Sequence, residues 1–494
     1  MLGLIPHPAE IVREHGEFVL DERTAVVAGP GAGTAAESLR RGIQPATGLP
    51  LPIHDPSTSA DVDARRIVLR LDADAAAEAY RLVVTPEEIL LSGGEIGLLH
   101  GVQTLRQLLP PQIFALARWD GVRWTVPCVR IVDAPRFAWR GVMLDVARHF
   151  MPPRELMRAI DLFALHRINR LHLHLTDDQG WRVQIAAHPR LTEVGGWRAA
   201  TAHGRGESAR LDGRPHGGWY TRAQLREIVG YAAERGIEVI PEIDLPGHST
   251  AAIAAYPELG VTGLQIGVRQ GWGVAADVLN LEASTVRFFS DVIDELVEVF
   301  PSGFVGAGGD ECPPGQWLAD PRTRELMRER GSQTATQAQT WFMNEIAAHL
   351  SSRGRRMLAW DEVLAGEPAP STVVLAWRSL SRVTEARRAG AVVVPDHPRG
   401  RVSIRPGAAG AGGRGGRPCA GRSGERLDRA SGQRPCRRLH GLPPSVRDRG
   451  RPVAHHSGGL RRVPRRSRDP SAPAGCAGSR IPARERAAAV AVPP

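Results

Sequence analysis

The sequence of residues 170–177 is Arg-Leu-His-Leu-His-Leu-Thr-Asp, in which every second residue is apolar and the last is a carboxylate. Strict alternation of this kind predicts a β-strand. The stretch lies between two segments with apolar residues at helical spacing, 152–166 and 221–235, and the second opens with a Thr-x-x-Gln capping box. A strand between two helices is typical of βαβ units, whose strands are parallel. The stretch therefore predicts an α/β fold.

The same alternation of strands and helices extends from residue 137 to residue 394. The predicted strands are 139–146, 170–176, 237–243, 304–309, 357–360 and 372–377, with a seventh beginning at 391–394. The predicted helices are 152–166, 221–235, 284–300 and 341–352. Seven such units predict a (β/α)8 TIM barrel that is incomplete at its last strand, with its chemistry at the carboxyl ends of the strands. A doubly wound open sheet would need a glycine-rich phosphate-binding turn after its first strand, and residues 140–145 contain none.

Residues 1–136 predict a separate small α/β domain. Short strand-like runs occur at 18–20, 25–27, 66–71 and 80–85, and a helix is predicted at 97–109, where Pro110-Pro111 ends it. Residue types that perform catalysis do not cluster in this part of the sequence. We therefore expect a scaffold domain.

The charge of the chain is divided very unevenly along its length. The 494 residues carry a formal charge of +10. Residues 395–494 hold 22 Arg and only 6 acidic residues, which gives +16 and leaves the preceding residues at −6. No Trp, Phe or Tyr follows Trp377. A segment of this composition does not bury enough apolar surface to offset its chain entropy, so we expect residues 395–494 to be a disordered tail.

Three explanations of this basic tail stay open from the sequence. It is a frame-shifted translation of a GC-rich gene, a true disordered extension, or an arm that binds RNA. The first is favoured because the strand–helix pattern stops abruptly inside one fold unit. Arginine-rich segments do bind RNA, but this one lacks the interleaved aromatic residues that stack on bases, so no nucleic-acid partner is expected.

Targeting and redox signals are weak. The N-terminus lacks a basic region followed by an apolar run of 7–15 residues, so the sequence predicts no signal peptide and a cytoplasmic protein, or a secreted one if an upstream start was missed. It contains no run of 18 apolar residues, so no membrane span is expected. Cys128 and Cys312, the cysteines that precede the tail, have neither disulfide-framework nor metal-site spacing.

Two adjacent carboxylates, Asp310 and Glu311, follow Gly308-Gly309 at a predicted strand end. Adjacent side chains on a strand point to opposite faces, so both carboxylates face one site only where the strand gives way to a loop. One of them can then serve as an acid while the other, held ionised, faces developing positive charge. A solvated acidic pair in a loop is the alternative. Other polar and aromatic residues also fall at strand ends: Asp145, Asp177, Asp244, Trp360 and Trp377.

Several further residues suit a sugar site. Asp177 and His248 end two other strands, and a carboxylate–imidazole pair can orient an acid and tune its pKa. Arg148 offers a fork of donors for hydroxyl groups. Trp341, Trp360 and Trp377 suit the apolar faces of a sugar ring, although each taken alone is also typical of a core.

The sequence lacks the motifs that are typical of metal sites and of catalytic serine nucleophiles. His149, His166, His172 and His174 do not form a His-Glu-x-x-His motif, and the sequence contains no Cys-x-x-Cys pair and no Gly-x-Ser-x-Gly elbow. We therefore expect no metal site and no cofactor.

Five ordered motifs resemble glycoside hydrolase family 20, the β-N-acetylhexosaminidases. They are Arg140-Gly-Val-Met-Leu-Asp-Val-Ala-Arg-His149, His172-Leu-His-Leu-Thr-Asp-Asp-Gln-Gly-Trp-Arg182, Pro241-Glu-Ile-Asp-Leu-Pro-Gly-His248, Gly308-Gly-Asp-Glu311 and Trp360-Asp-Glu362. The resemblance covers residues 1–394. It implies exo-hydrolysis of terminal N-acetylglucosamine or N-acetylgalactosamine from glycans or chitooligosaccharides.

The resemblance also implies a retaining mechanism in which the 2-acetamido group of the substrate is the nucleophile. By position, Glu311 matches the family's general acid/base and Asp310 the carboxylate that orients the acetamido group. Asp177 and His248 match the pair that supports the acid/base, and Arg148 matches the arginine that holds sugar hydroxyls. Trp360 and Trp341 match walls around the acetamido methyl group, and Asp244 and Trp377 are expected on the substrate-binding side. Metals and organic cofactors are not implied.

The chain departs from the family pattern in two places. Gly306 stands where the family often has a histidine two residues before Gly-Gly-Asp-Glu. Residues 395–494 contain neither the Tyr-x-Asp segment nor the late Trp that complete the family's pocket. The sequence therefore leaves open a sugar-binding remnant with impaired catalysis.

Overall fold

The computed structural model of the chain describes residues 2–57, 65–204 and 209–379, a few positions within 381–386, and a strand at 392–395. The sequence predictions for the tail beyond residue 395 lie outside these residues, as does any eighth barrel strand. Among the described residues, none of the helices combines the length and the hydropathy that crossing a membrane requires.

The N-terminal region forms a seven-stranded mixed sheet covered by two helices. Its strands are β1 (Glu10–Val19), β2 (Ala25–Ala28), β3 (Ile53–His54), β4 (Arg66–Leu71), β5 (Tyr80–Val84), β6 (Glu88–Gly93) and β7 (Thr125–Asp133), and its helices are α1 (Gly33–Thr47) and α2 (Glu95–Leu108), followed by a short 3₁₀ helix at Pro111–Phe114. The strand order is β1-β7-β5-β6-β4-β2-β3. The predicted strands and the predicted helix all have counterparts, whereas α1 was not predicted. Its buried Leu39 and Ile43 lie one turn apart and pack into the same core as α2.

The second region contains the remaining strands and helices. Its strands are β8 (Gly141–Asp145), β9 (Arg170–His174), β10 (Thr176–Asp177), β11 (Gly180–Trp181), β12 (Trp197–Arg198), β13 (Ala202–His203), β14 (Arg210–Leu211), β15 (His216–Gly217), β16 (Glu238–Leu245), β17 (Phe304–Gly308), β18 (Arg356–Trp360), β19 (Val373–Ala376) and β20 (Val392–Pro395). Its helices are α3 (Pro153–Leu165), α4 (Arg190–Glu193), α5 (Arg222–Ala233), α6 (Thr250–Ala255), α7 (Ala283–Val297), α8 (Gly315–Ala319), α9 (Pro321–Glu329) and α10 (Ala335–Ser352), with 3₁₀ turns at Pro257–Leu259 and Asp361–Ala365.

Seven parallel strands form the sheet of this region, in the order β20-β19-β18-β17-β16-β9-β8. The prediction of an α/β fold with an incomplete (β/α)8 barrel is confirmed for the described part of the chain. Leu171 and Leu173 of β9 pack on the surrounding helices, while the alternate residues His172 and His174 contact Trp360 and Glu242 of other strands. The alternation seen in the sequence thus separates an outer apolar layer from a polar layer inside the barrel.

Helix α10 begins six residues earlier than predicted. Thr334 caps it: its hydroxyl accepts from the backbone N–H of Gln337, and the Gln337 side chain returns to the Thr334 backbone. This capping box is visible in the sequence but does not precede an obviously amphipathic run. Trp341 therefore lies in the second turn of the helix rather than at its start. The short helices α4, α6, α8 and α9 were not predicted.

Ion pairs join the two regions, and one of them, Arg167–Asp133, is buried. Arg140 bonds Glu78 through Nη2 and Oε1 at 2.7 Å, and Arg167 bonds Asp133 and also donates to Thr104 Oγ1 at 2.7 Å. Arg140 precedes β8 and Arg167 precedes β9, so these contacts lie at the amino ends of the barrel strands. These contacts with the N-terminal region are therefore at the end of the sheet opposite the carboxyl ends of the strands.

Candidate active site

A cavity of about 470 Å³ opens at the carboxyl ends of the barrel strands. Its volume falls within the range of small-molecule sites. The lining residues are Met143, Arg148, His174, Gln179, Asp244, His248, Trp272, Gly273, Val274, Asp310, Glu311, Trp360 and Trp377. Seven of the nine residues predicted for the site line this cavity, and an eighth, Asp177, bonds two of them from behind.

Two glycines bring the carboxylate pair into the cavity. Gly308 and Gly309 have φ of +67° and +88°, a region that glycine adopts without steric cost. A Cβ at Gly308 would lie 1.7 Å from Asp244 Oδ1, so a larger residue does not fit there. The backbone turns away from the strand direction at this point. Both Asp310 and Glu311 then face the cavity, with the side chain of Asp310 16% exposed and that of Glu311 44% exposed.

His248 lies between two pairs of carboxylates. Its Nε2 is 3.6 Å from Asp310 Oδ2 and 3.5 Å from Glu311 Oε2. Its Nδ1 is 3.3 Å from Asp177 Oδ1 and 3.5 Å from Asp178 Oδ2. Burial alone would lower the pKa of His248, but the Asp177 and Asp178 carboxylates outweigh it and raise the pKa to about 12. The imidazole is therefore a cation at neutral pH, placed against the predicted acid/base.

Arg148 is anchored by two carboxylates. It bonds Asp145 Oδ2 through Nη1 at 3.0 Å and also bonds the fully buried Asp177. Burial would raise the pKa of Asp177, but His174, His248 and Arg148 together hold it below its usual range. Asp177 is consequently an anion in the folded protein, and Arg148 is held at the cavity wall.

Asp244 and Asp310 are the cavity carboxylates whose burial is least offset by hydrogen bonds and positive charge. Burial raises the pKa of Asp244 well above its usual value, and the neighbouring Asp310 adds to the effect. Burial likewise raises the pKa of Asp310, while the positive charge of His248 opposes this. Asp244 Oδ1 and Asp310 Oδ1 are buried without a hydrogen-bond partner in the described residues. A ligand that donates hydrogen bonds or brings positive charge would satisfy both atoms.

The three predicted tryptophans have different positions. Trp360 is buried in the floor, and Trp377 lies on the wall, where its Nε1–H donates to Glu362 Oε2 at 3.1 Å. Burial raises the pKa of Glu362 to about 7. Trp341 is not among the described residues that line the cavity. Its ring lies under the Arg330 guanidinium, 3.6 Å from ring centroid to Cζ.

The sequence prediction did not include several lining residues. Trp272, Gly273 and Val274 lie on the loop between α6 and α7. Met143 of β8 and Gln179 of the β10–β11 hairpin also line the cavity. Trp272 is 58% exposed. The sequence signal that could have pointed to Trp272 was a large aromatic residue within a glycine-rich loop.

Residues 195–218, which the structure describes except for 205–208, form a long polar and glycine-rich insertion between α4 and α5. Arg182, fully buried, donates from Nη1 to Gly196 O at 2.7 Å and to Gly218 O at 3.0 Å, which joins the two ends of the insertion. Phe150, two residues after Arg148, donates its backbone N–H to His216 Nε2 at 3.0 Å. The described ends of the insertion are thus held against residues that follow β8 and β11.

Three overlapping trios of the described residues bring metal-ligand atoms within 4.8 Å of one another. They are His174/Asp177/Asp244, Asp177/Asp178/His248 and Asp244/His248/Asp310. The protein already supplies positive charge among these carboxylates, including the Arg148 guanidinium and the His248 imidazolium. The expectation of a metal-free site stays a prediction.

Comparison with known proteins places the chain in a family. Residues 137–398 match the catalytic domain of glycosyl hydrolase family 20, and residues 1–134 match domain 2 of the same family. A beta-hexosaminidase of Porphyromonas gingivalis is 37% identical over 383 residues, 76% of this chain and 47% of that protein. The chain therefore spans about half the length of this relative.

Solved structures agree in fold and sequence. The family 20 beta-N-acetylhexosaminidase of Streptomyces coelicolor A3(2) is 33% identical with a TM-score of 0.67, covering 80% of this chain and 74% of its own. The exo beta-N-acetylglucosaminidase of Vibrio harveyi, solved with N-acetylglucosamine, is 30% identical with a TM-score of 0.68, covering 80% of this chain and 60% of its own. From its matched domains, its barrel and its similarity to these proteins, the chain belongs to glycosyl hydrolase family 20.

Proposed function

We propose that the chain is an exo-acting β-N-acetylhexosaminidase that cleaves terminal N-acetylglucosamine or N-acetylgalactosamine by substrate-assisted, retaining catalysis. The observation that carries the proposal is the position of His248, whose Nε2 lies within 3.6 Å of both Asp310 and Glu311 while its Nδ1 faces the Asp177 anion. Family membership and the N-acetylglucosamine bound by the Vibrio harveyi relative support the choice of sugar.

In the first step the acetamido oxygen of the sugar attacks its own anomeric carbon. The bond between that carbon and the leaving-group oxygen breaks, and Glu311 transfers its proton to that oxygen. The acetamido nitrogen becomes positive as the oxazolinium ring closes. Asp310 is the group that accepts the N–H hydrogen bond and faces this charge, which suits a buried carboxylate with an unsatisfied oxygen.

In the second step Glu311 is the base. It removes a proton from water, which attacks the anomeric carbon from the side that the leaving group vacated, and the oxazolinium ring reopens. The His248 cation is close enough to stabilise the Glu311 carboxylate left after the first step. Arg148, held by Asp145 and Asp177, would donate to sugar hydroxyls. Trp360 and Trp377 offer apolar surface to the sugar.

The acetamido requirement gives a direct test of the proposal. We expect release of 4-nitrophenol from 4-nitrophenyl N-acetyl-β-glucosaminide and from the matching galactosaminide, and none above background from 4-nitrophenyl β-glucoside, because the glucoside lacks the internal nucleophile. Comparable turnover of the glucoside would contradict substrate assistance. A sugar-binding remnant would instead bind N-acetylglucosamine in calorimetry without turnover of any substrate.

The mouth of the cavity is the expected position of the leaving group. Trp272 lies at this mouth, on a loop that two hydrogen bonds hold in place. Gln179 Nε2 donates to Gly271 O at 2.9 Å, and Arg269 N donates to Asp178 O at 3.1 Å. Glu311, the proposed proton donor, is also the more exposed carboxylate of the pair. The second sugar of an oligosaccharide would then meet the Trp272 ring.

Replacing Trp272 with Ala is expected to raise KM for N,N′-diacetylchitobiose by about 2- to 10-fold, the range for losing one aromatic contact. Affinity for free N-acetylglucosamine should not change, because that sugar occupies only the inner part of the cavity. Trp119→Ala, at an exposed tryptophan of the N-terminal region, is the matched control. Equal weakening of both sugars would place Trp272 in the inner site instead.

A further inference from the structure

Glu242 lies inside the barrel, in one layer with residues of two neighbouring strands. It is fully buried on β16, in register with His174 of β9 and Gly306 of β17. His174 Nδ1 donates to its Oε1 at 2.5 Å, and His172 Nε2 donates to its Oε2 at 2.9 Å. Both carboxylate oxygens are therefore occupied by imidazoles, and the group does not face the cavity.

The space for this carboxylate exists because Gly306 has no side chain. A Cβ at Gly306 would lie 2.7 Å from Glu242 Cβ and 2.8 Å from Oε2, distances that require one residue to shift. The departure from the family pattern at Gly306 thus coincides with the position of Glu242.

The other side of His174 reaches the sugar site. Its Nε2 is 3.1 Å from Asp177 Oδ2 and 3.1 Å from Arg148 Nη1. The hydrogen bond to Glu242 fixes a proton on Nδ1, and it therefore fixes the plane of the ring and the direction of Nε2. Asp177 continues the sequence of contacts to His248 Nδ1, 3.3 Å away.

We propose that Glu242 is a positioning residue that orients His174 and, through it, the Arg148 and Asp177 side chains that serve sugar binding and the acid/base. The roles of Arg148 and Asp177 rest on the proposed function, whereas the orientation of His174 does not. A buried carboxylate shared by two imidazoles is a rigid support of the kind that precise sites require.

The charges that face His174 come from three directions. Asp145 and Arg148 approach from the end of β8, Asp177 follows on β10, and Glu242 and Asp244 lie on β16. Burial would lower the pKa of His174, but its bonds to Asp177 and Glu242 raise it well above the usual value. Burial would raise the pKa of Glu242, but His172 and His174 lower it. Removing the Glu242 charge should therefore make His174 easier to deprotonate.

The test is the Glu242→Gln variant of the full chain, which keeps the side-chain shape and removes the charge. With ¹⁵N-labelled histidine, NMR should show His174 losing its proton at a pH lower by about one unit or more, as expected for the loss of an adjacent opposite charge. The His248 ring signals should also move, because Asp177 contacts both rings. In calorimetry, affinity for N-acetylglucosamine should fall about 10-fold, and in assays KM should rise more than kcat falls.

A second variant tests the role of the Glu242 carboxylate without replacing a polar residue. Gly306→Ala should displace Glu242 and produce the same change at His174. Gly303→Ala, just before the same strand, is its control, because a Cβ there meets nothing within 4 Å. If Gly306→Ala does not fold, Glu242→Gln decides alone.

The outcomes separate this inference from the proposed function. An unchanged His174 titration in Glu242→Gln overturns the inference, as does a shifted His174 with unchanged His248 signals. An unchanged affinity for the sugar, together with a changed His174 titration and changed His248 signals, also overturns the inference, because the loss of Glu242 would then not affect sugar binding. If the parent chain binds no sugar, the proposed function fails, and the His248 signals, which need no ligand, still decide whether Glu242 orients the residues next to the acid/base.

Discussion

Replacing Glu311 with Gln is expected to lower kcat for 4-nitrophenyl N-acetyl-β-glucosaminide by about 10²- to 10⁴-fold, the usual contribution of a general acid or base. The amide keeps the shape of the side chain but has no proton to give to the leaving oxygen. Folding should be preserved, since Glu311 is partly exposed and its closest charged neighbour, His248, keeps Asp177, Asp178 and Asp310 around it.

The leaving group distinguishes an acid from a merely structural residue. The 2,4-dinitrophenolate leaving group departs without protonation. Glu311→Gln should therefore slow the first step of a 2,4-dinitrophenyl substrate far less than that of the 4-nitrophenyl substrate. Glu325→Gln, at an exposed glutamate of α9, is the control for a Glu-to-Gln change. Full activity of Glu311→Gln on both substrates would remove Glu311 from the mechanism.

Replacing Arg182 with Met is expected to destabilise the chain by at least about 3 kcal/mol. The guanidinium donates to the backbone carbonyls of Val146, Ala147, Gly196 and Gly218 at 2.7–3.2 Å. Each buried carbonyl left without a donor costs about 1–3 kcal/mol. Burial lowers the pKa of Arg182 to about 10, so it is still a cation at neutral pH. A loss of this size is a large share of the ~5–15 kcal/mol by which domains are stable.

The measurement is urea unfolding of Arg182→Met beside the parent. Arg182→Lys should recover little, because a single ammonium does not reach both ends of the insertion and the Ala147 carbonyl together. Arg154→Met, at an exposed arginine of α3, controls for the loss of one charge. A free energy of unfolding within about 0.5 kcal/mol of the parent, as for ordinary surface substitutions, would contradict the prediction.

Much of the site could be predicted because the chemistry lies where strands end. Parallel strands bring their carboxyl ends to one edge, so Asp177, Asp244, His248 and the Asp310–Glu311 pair were predicted to converge from their positions. Arg148 was predicted from its fork of donors and from the family resemblance. The described residues place all of them at or directly behind one cavity. Trp341 was predicted for its aromatic ring and from the family resemblance, and it lies on a helix, where a single turn decides which way a side chain points.

The sequence by itself determined the strand–helix alternation, the incomplete barrel and the end of the barrel that holds the carboxylates. Only the tertiary structure decided that Trp272 joins the cavity from a distant loop, that Arg182 closes the insertion, and that Glu242 supports two imidazoles beside Gly306. The physical reason is that periodicity and turn chemistry are local properties of the chain. The direction of a loop, and the partner of a buried charge, depend on which residues of other strands occupy the same layer.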